Sequence, residues 1–261
     1  RPAVEFPNEP EEPNNKPINI ETSVFSDIIN KTIFAVSKDE LKPALSGVLF
    51  QIKNNSILSV STDGHRLVKY TRHGLNINID RDVIIPKKFL SLINSNISQA
   101  ENINLYINEN QVIVEVGNDV FYSRVIDERF PDFESVIPKD NNKKLIINRL
   151  EFLSTVKRVS VLSNKTTRQI ALNLTKDNIK ITTEDNEKSS KGFENISGSF
   201  TGEDLIIGYN AAYLKDILSH LTTDEIMINL NSPISAGLFF PKEQLKDSDL
   251  TMLLMPIRLN N

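Results

Sequence analysis

The chain has 261 residues, 39% of them hydrophobic and 25% charged, with a formal net charge of −4. That is enough for two ordinary domains, and the composition excludes a disordered chain. There is no cysteine, only His65, His73 and His220 carry imidazoles, and no apolar run reaches eighteen residues, which excludes disulfides, thiolate metal sites and a helical membrane span.

Four segments share one form: an apolar triplet, a polar or turn residue, then an amphipathic helical pattern. In chain order the triplets begin at Ile18, Val83, Leu145 and Leu205, about 60 to 65 residues apart. Apolar residues recur at helical spacing after each, for example Phe25, Ile28 and Ile29, or Leu214, Ile217 and Leu218. Pro86 suits the first turn of the second helix, where its missing N–H costs nothing. Alternating strand patterns follow each helix, with Asn54-Asn55, Glu109-Asn110 and Lys176-Asp177 as hairpin tips. The repeating unit is therefore strand, helix, strand, strand, strand. A period this long points to duplicated subdomains and not to a solenoid. VEFPNE at Val4–Glu9 also resembles DERFPDFE at Asp127–Glu134, so a Phe-Pro junction is expected to close a domain each time. On that expectation residues 1–16 are the tail of an upstream domain, 17–137 one domain and 138–261 another.

The turn STDGHRL (Ser61–Leu67) carries the most chemistry. Asp63-Gly64 between alternating flanks is a hairpin signal, since both residues tolerate positive φ. Asp63 and His65 could serve a two-domain α+β hydrolase. That reading lacks a nucleophile motif, a second histidine at ligand spacing and any cysteine. The plainer reading of Asp63 is a turn residue.

Taken with DERFPDF (Asp127–Phe133), IGYNAAYL (Ile207–Leu214) and the terminal MPIRL (Met255–Leu259), this turn resembles the bacterial DNA sliding clamps, the beta subunits of DNA polymerase III. The resemblance spans essentially the whole chain and matches the second and third of the family's three domains. It implies an α+β fold of two DNA-clamp domains, each a duplicated β-α-β-β-β unit, with helices inside and antiparallel sheets outside. The implied function is a non-catalytic processivity factor without metal or cofactor, a cytoplasmic protein associated with the nucleoid. As a head-to-tail homodimeric ring it would encircle double-stranded DNA. The polymerase III catalytic subunit, the clamp loader, other polymerases and repair proteins would dock through short peptides. A peptide-binding adaptor without a DNA role is the remaining alternative.

The resemblance also implies site residues. Thr62, Gly64, His65, Arg66 and Leu67 would rim a peptide pocket. Leu45, Pro131, Val136, Asn210, Tyr213 and Ile234 would wall it, completed by the run Leu253, Leu254, Met255, Pro256, Ile257 and Arg258. Aliphatic walls, an adaptable methionine and a proline-fixed backbone suit a peptide, although the four aliphatic positions Leu45, Val136, Ile234 and Leu253 also read as ordinary core. Ser135 and Thr167 depart from the longer basic or aromatic side chains of related clamps, which bears on pocket depth. Lys31, Lys87, Lys88, Lys157, Arg158 and Lys215 fall on the helices or at their starts and would face DNA, diluted by Asp27, Glu151 and Asp216. On a helix they equally read as a solvated face. Val161 and Leu162 would meet the neighbouring protomer.

Overall fold

The computed structural model describes residues 16–53, 55–77, 79–97, 100–176 and 178–259. The first unit is β1 (Ile18–Glu21), α1 (Thr22–Thr32), β2 (Gly47–Lys53), β3 (Ser56–Thr62) and β4 (Arg66–Arg72). The second is β5 (Arg81–Pro86), α2 (Lys87–Asn96), β6 (Asn102–Ile107), β7 (Gln111–Val116) and β8 (Asp119–Arg124). The third comprises β9 (Lys143–Asn148), α3 (Arg149–Ser160), β10 (Gln169–Leu174), β11 (Ile179–Asp185), β12 (Ser190–Ile196) and β13 (Gly198–Thr201). The fourth is β14 (Leu205–Asn210), α4 (Ala211–His220), β15 (Glu225–Leu230), β16 (Gly237–Pro241) and β17 (Ser248–Leu254).

Each unit lends its first strand to its neighbour. β1 pairs with β6, β5 with β2, β9 with β15 and β14 with β10, all antiparallel. Two units are therefore needed to complete either sheet of a domain. The result is two four-stranded sheets, β1-β6-β7-β8 and β12-β11-β10-β14, and one nine-stranded sheet, β13-β9-β15-β16-β17-β4-β3-β2-β5. The nine-stranded sheet joins the two halves through β4 and β17, in register from Ser248↔Arg72 to Leu254↔Arg66.

Strand alternation gives this central sheet two different faces. Phe50, Ile52, Val68, Tyr70, Met252 and Leu254 point into the main core with Phe25 and Ile28 of α1 and Leu214 of α4. Leu49, Val60, Leu67, Ile84, Leu238 and Leu253 form a smaller outer cluster, capped by Phe130, Phe133 and Ile137 from the connector after β8. Helices thus lie on one side and the connector on the other. Asn148 caps α3 by accepting from the Glu151 N–H, and Asn210 caps α4 by accepting from that of Ala212.

Several expectations change in detail. The third unit has an extra strand: β12 and β13 lie in different sheets with only Ser197 between them. Gly198 permits this crossing, since a Cβ there would collide with the Ile179 side chain. The first helix stops at Thr32, followed by a 3-10 turn over Ile33–Ala35, because the Thr32 hydroxyl and carbonyl are drawn into bonds with Ile28 O and Ser61 Oγ. Pro86 is the last residue of β5 and caps α2 instead of entering it. In the Asp63-Gly64 turn only Gly64 has positive φ (89°). The Phe-Pro junction at Val4–Glu9, nearly all of the expected tail, and Asn54 and Asp177 of two hairpin tips lie outside the described residues.

Candidate peptide-docking cleft

The STDGHRL turn owes its shape to Asp63. Its Oδ1 accepts the backbone N–H groups of His65 (2.9 Å) and Arg66 (3.1 Å), a local turn that makes positive φ at Asp63 unnecessary. Its Oδ2 accepts from Arg66 Nε at 3.1 Å. Among the described residues the carboxylate meets His65 through the main chain and not the ring, so the hydrolytic pairing does not form.

Arg66 is 8% exposed and ties the two halves together. Its second arm donates to Asp216 Oδ2 on α4 (2.6 Å) and its third to the Phe34 carbonyl (2.9 Å). The guanidinium also lies over the rings of Phe34 (5.2 Å) and Tyr213 (4.8 Å). Tyr213 stacks in turn on His65, centroids 5.5 Å apart. The turn is therefore fixed on its inner side and open on its outer side.

On that outer side lies a cleft of about 610 Å³. One wall is the turn, through Thr62, Gly64, His65, Arg66 and Leu67. Leu45 and Leu253 form the floor, and Pro131, Val136 and Met255 rise around it. Val136 and Met255 are 53% and 42% exposed, an apolar rim open to a ligand. The Met255 N–H donates to the His65 carbonyl at 2.8 Å, so the terminal segment is bound to the turn it faces.

The remaining expected residues do not line the cleft. Leu254 is a correction: it follows Leu253 on the strand, so it points into the main core and is fully buried. Asn210 caps α4 and donates to the Thr167 carbonyl (3.3 Å). Tyr213 supports His65 from behind, and Ile234 is 69% exposed beside lining residue Ser235. Pro256 and Arg258 flank Ile257, whose N–H donates to Gly208 O at 2.9 Å. Ser135 does line the cleft, its hydroxyl donating to Asp132 O, whereas Thr167 does not. Asp132, Phe133, Pro138, Ser235 and Ala236 complete the lining. Of these, Asp132 and Phe133 stood within the DERFPDF motif; the others had no sequence signal.

The helix cations divide. Lys31 is corrected outright: it is 5% exposed, and its ammonium donates to His220 O (2.9 Å) and Thr222 Oγ1 across the domain junction. Burial holds its pKa below the ordinary lysine range, against the pull of Asp27. Lys87 is half-buried, its pKa lowered by burial and by Lys38 and Arg66 nearby. Arg158 pairs with Glu194 at 2.5 Å, and Lys215 reaches Ser160 Oγ at 3.5 Å. Lys88 and Lys157 are exposed, and no ion pair holds them among the described residues. Val161 and Leu162, 79% and 41% exposed, sit just past the end of α3. No group of acidic or imidazole side chains among the described residues could hold a metal.

Duplicated units that exchange strands, with helices on one face of a shared sheet, define the architecture of a DNA clamp. Residues 19–132 match the family model for the DNA polymerase III beta subunit, central domain, and 134–258 that for its C-terminal domain. The beta sliding clamp of Pseudomonas putida is 30% identical over 260 residues, covering 99% of this chain and 70% of that protein. That of Bacillus subtilis is 29% identical over 261 residues, covering 98% and 68%. Among solved structures, the Bacillus subtilis clamp superposes with a TM-score of 0.93 at 28% identity, covering 99% of this chain and 68% of that one. A Pseudomonas aeruginosa clamp bound to griselimycin gives 0.91 at 27%, covering 99% and 70%. The chain belongs to the beta sliding clamp family of DNA polymerase III beta subunits.

Proposed function

We propose that this sliding clamp works without covalent chemistry, as a processivity factor and docking platform, and that the cleft takes the clamp-binding peptides of its partners. Those partners are the polymerase III catalytic subunit, the clamp loader, other polymerases and repair proteins. The two clamp domains are 17–137 and 138–261. The helix face is turned toward encircled duplex DNA in a head-to-tail homodimer whose junction uses Val161 and Leu162. One observation carries the reading of the cleft: its walls come from the β3–β4 turn, the connector and the C-terminal segment, three elements of both domains that converge on one apolar floor.

A partner peptide with a glutamine followed by aliphatic and aromatic residues suits such walls. Burying two apolar side chains at ~25 cal/mol per Å² contributes several kcal/mol, part of which offsets ordering of the peptide. The expected affinity is micromolar, about −8 kcal/mol. Fluorescence anisotropy with a labelled peptide tests this. Removing residues 255–261 should abolish binding, and His65→Ala should weaken it less. Unchanged affinity after the truncation would place the docking site elsewhere.

A further inference from the structure

The same outer face carries a second groove, of about 440 Å³. The order β17-β4-β3-β2-β5 puts the docking cleft over β17, β4 and β3, and this groove over β2 and β5. Its floor is Leu49 and Ile84, which face each other across β2 and β5. Phe130 leans over that floor from the connector, its ring edge-on to Phe133 with centroids 6.4 Å apart. The connector is anchored here, because the Ile126 N–H donates to Ile84 O at 2.9 Å. The two depressions share one wall: Pro131, Asp132 and Phe133 line both. Among its lining residues the rim of the groove is acidic, with Asp82, Glu128 and Asp132 exposed beside one cation, Arg129; Lys69 reaches the Phe133 ring of the shared wall, but its charge is paired with Glu134. Asp82 is oriented by Gln51, whose amide donates to it at 2.6 Å.

We infer that this groove is a second subsite for the same partner segment, taking residues that flank the docking motif: one aliphatic side chain for the Leu49–Ile84–Phe130 floor and a lysine or arginine for the acidic rim. The inference rests on the docking reading above. A chain leaving the cleft over the shared wall enters the groove directly, and four extended residues reach about 13 Å. The rim disfavours a nucleic-acid occupant, since phosphates would face three carboxylates. An apolar floor with an acidic edge gives the clamp a means to rank partners that share one motif but differ in their flanks.

The test uses fluorescein-labelled peptides and the full chain in anisotropy titrations. A core peptide carries only the motif. Two longer ones add four residues containing a leucine and two lysines, at one end or the other, and matched controls carry serine and glutamates instead. One leucine–lysine extension should tighten binding about tenfold, and its matched control should not. In the double variant Asp82→Lys, Glu128→Lys the gain should vanish while the core peptide binds as before, which shows the cleft and fold intact. The inference is overturned if neither extension gains, or if the gain survives the double variant. Self-association of the free protein that Asp82→Lys disperses would assign the groove to a second copy and overturn it too. Failure of the core peptide itself would instead sink the docking reading, and this inference with it.

Discussion

Arg66 shows how much can depend on one side chain in this molecule. It sits at the rim of the cleft, yet its three hydrogen-bonding arms run inward to Asp63, Asp216 and Phe34 O. Arg66→Ala takes the guanidinium from Asp63, which keeps its two backbone N–H donors, and from a half-exposed Asp216, and should cost about 2 kcal/mol once the exposure of Asp216 is discounted. Lysine should rescue little, because it cannot reproduce the fork or the stacking on Phe34 and Tyr213. Urea denaturation of the two variants measures this. Tyr70 ties β4 to α1 within the first domain, its hydroxyl donating to Asp27 at 2.5 Å. Burial first, then that bond, push its pKa up to about 12. A phenol that ionises later in the folded state adds stability in full below about pH 10, the ordinary tyrosine value, and loses it between pH 10 and about 12. Wild type should exceed Tyr70→Phe by about 1 kcal/mol at pH 9, with the gap closing at about pH 11 and reversing above it, because a shift of this size outweighs one hydrogen bond. Equal pH profiles for the two proteins would contradict this assignment. Neither role was legible in the sequence, where Arg66 read as a pocket rim and Asp27 and Asp216 as charges diluting a DNA-facing surface. A residue's neighbours across the fold leave no local pattern.

At the scale of elements, the periodicities of 2 and 3.6 made the repeating unit readable, because burial of one face dictates both. Strand exchange between units was not readable: alternation says which face is buried, not which strand lies alongside. The extra strand β13 escaped for a related reason, since its four residues, GSFT, carry too little alternation to stand apart from β12. Ten expected residues do meet in the cleft, seven of them from the quoted turn, junction and terminal motifs, while Leu45, Val136 and Leu253 came from the resemblance alone. Leu254 failed because a continuous apolar run conceals the strand's change of face at each step. Two glycines separate the roles of conformation and space. Gly64 needs its positive φ, but a Cβ there would meet nothing within 4 Å, so Gly64→Ala should cost only about 1 kcal/mol. Gly208 has no positive φ, yet a Cβ would press on the Ile257 carbonyl (2.7 Å) and the Leu259 side chain (2.6 Å). Gly208→Ala should therefore dislodge the terminal segment that carries Met255. Peptide affinity should fall several-fold in Gly208→Ala with a small change in melting temperature, the signature of a detached tail and not of global unfolding.

For the whole molecule, the central sheet makes the two halves one body. The β4–β17 ladder, the Arg66 fork and the Lys31 contact with His220 O cross the same junction. This recasts how the chain should meet DNA. Of six cations expected on the inner face, Lys31 is committed to the junction, Arg158 is paired with Glu194, and Lys87 and Lys215 are half-buried. Lys88 and Lys157 are the exposed ones without an ion pair among the described residues. The net charge of −4 adds a general repulsion from phosphate. Affinity for linear duplex should then be weak, with about two or three counterions released per protein. Such a surface suits a clamp, since tight phosphate binding would oppose sliding. Lys88→Ala with Lys157→Ala should abolish measurable binding at low salt and leave stability nearly unchanged. Lys31→Ala should do the reverse, lowering the urea midpoint because His220 O and Thr222 Oγ1 lose their buried donor, while DNA affinity stays as it was. Anisotropy on a labelled linear duplex across a salt series, paired with denaturation of each variant, separates the two sets. Loss of DNA binding in Lys31→Ala at unchanged stability would return that lysine to the DNA face and break the division between joining cations and facing cations.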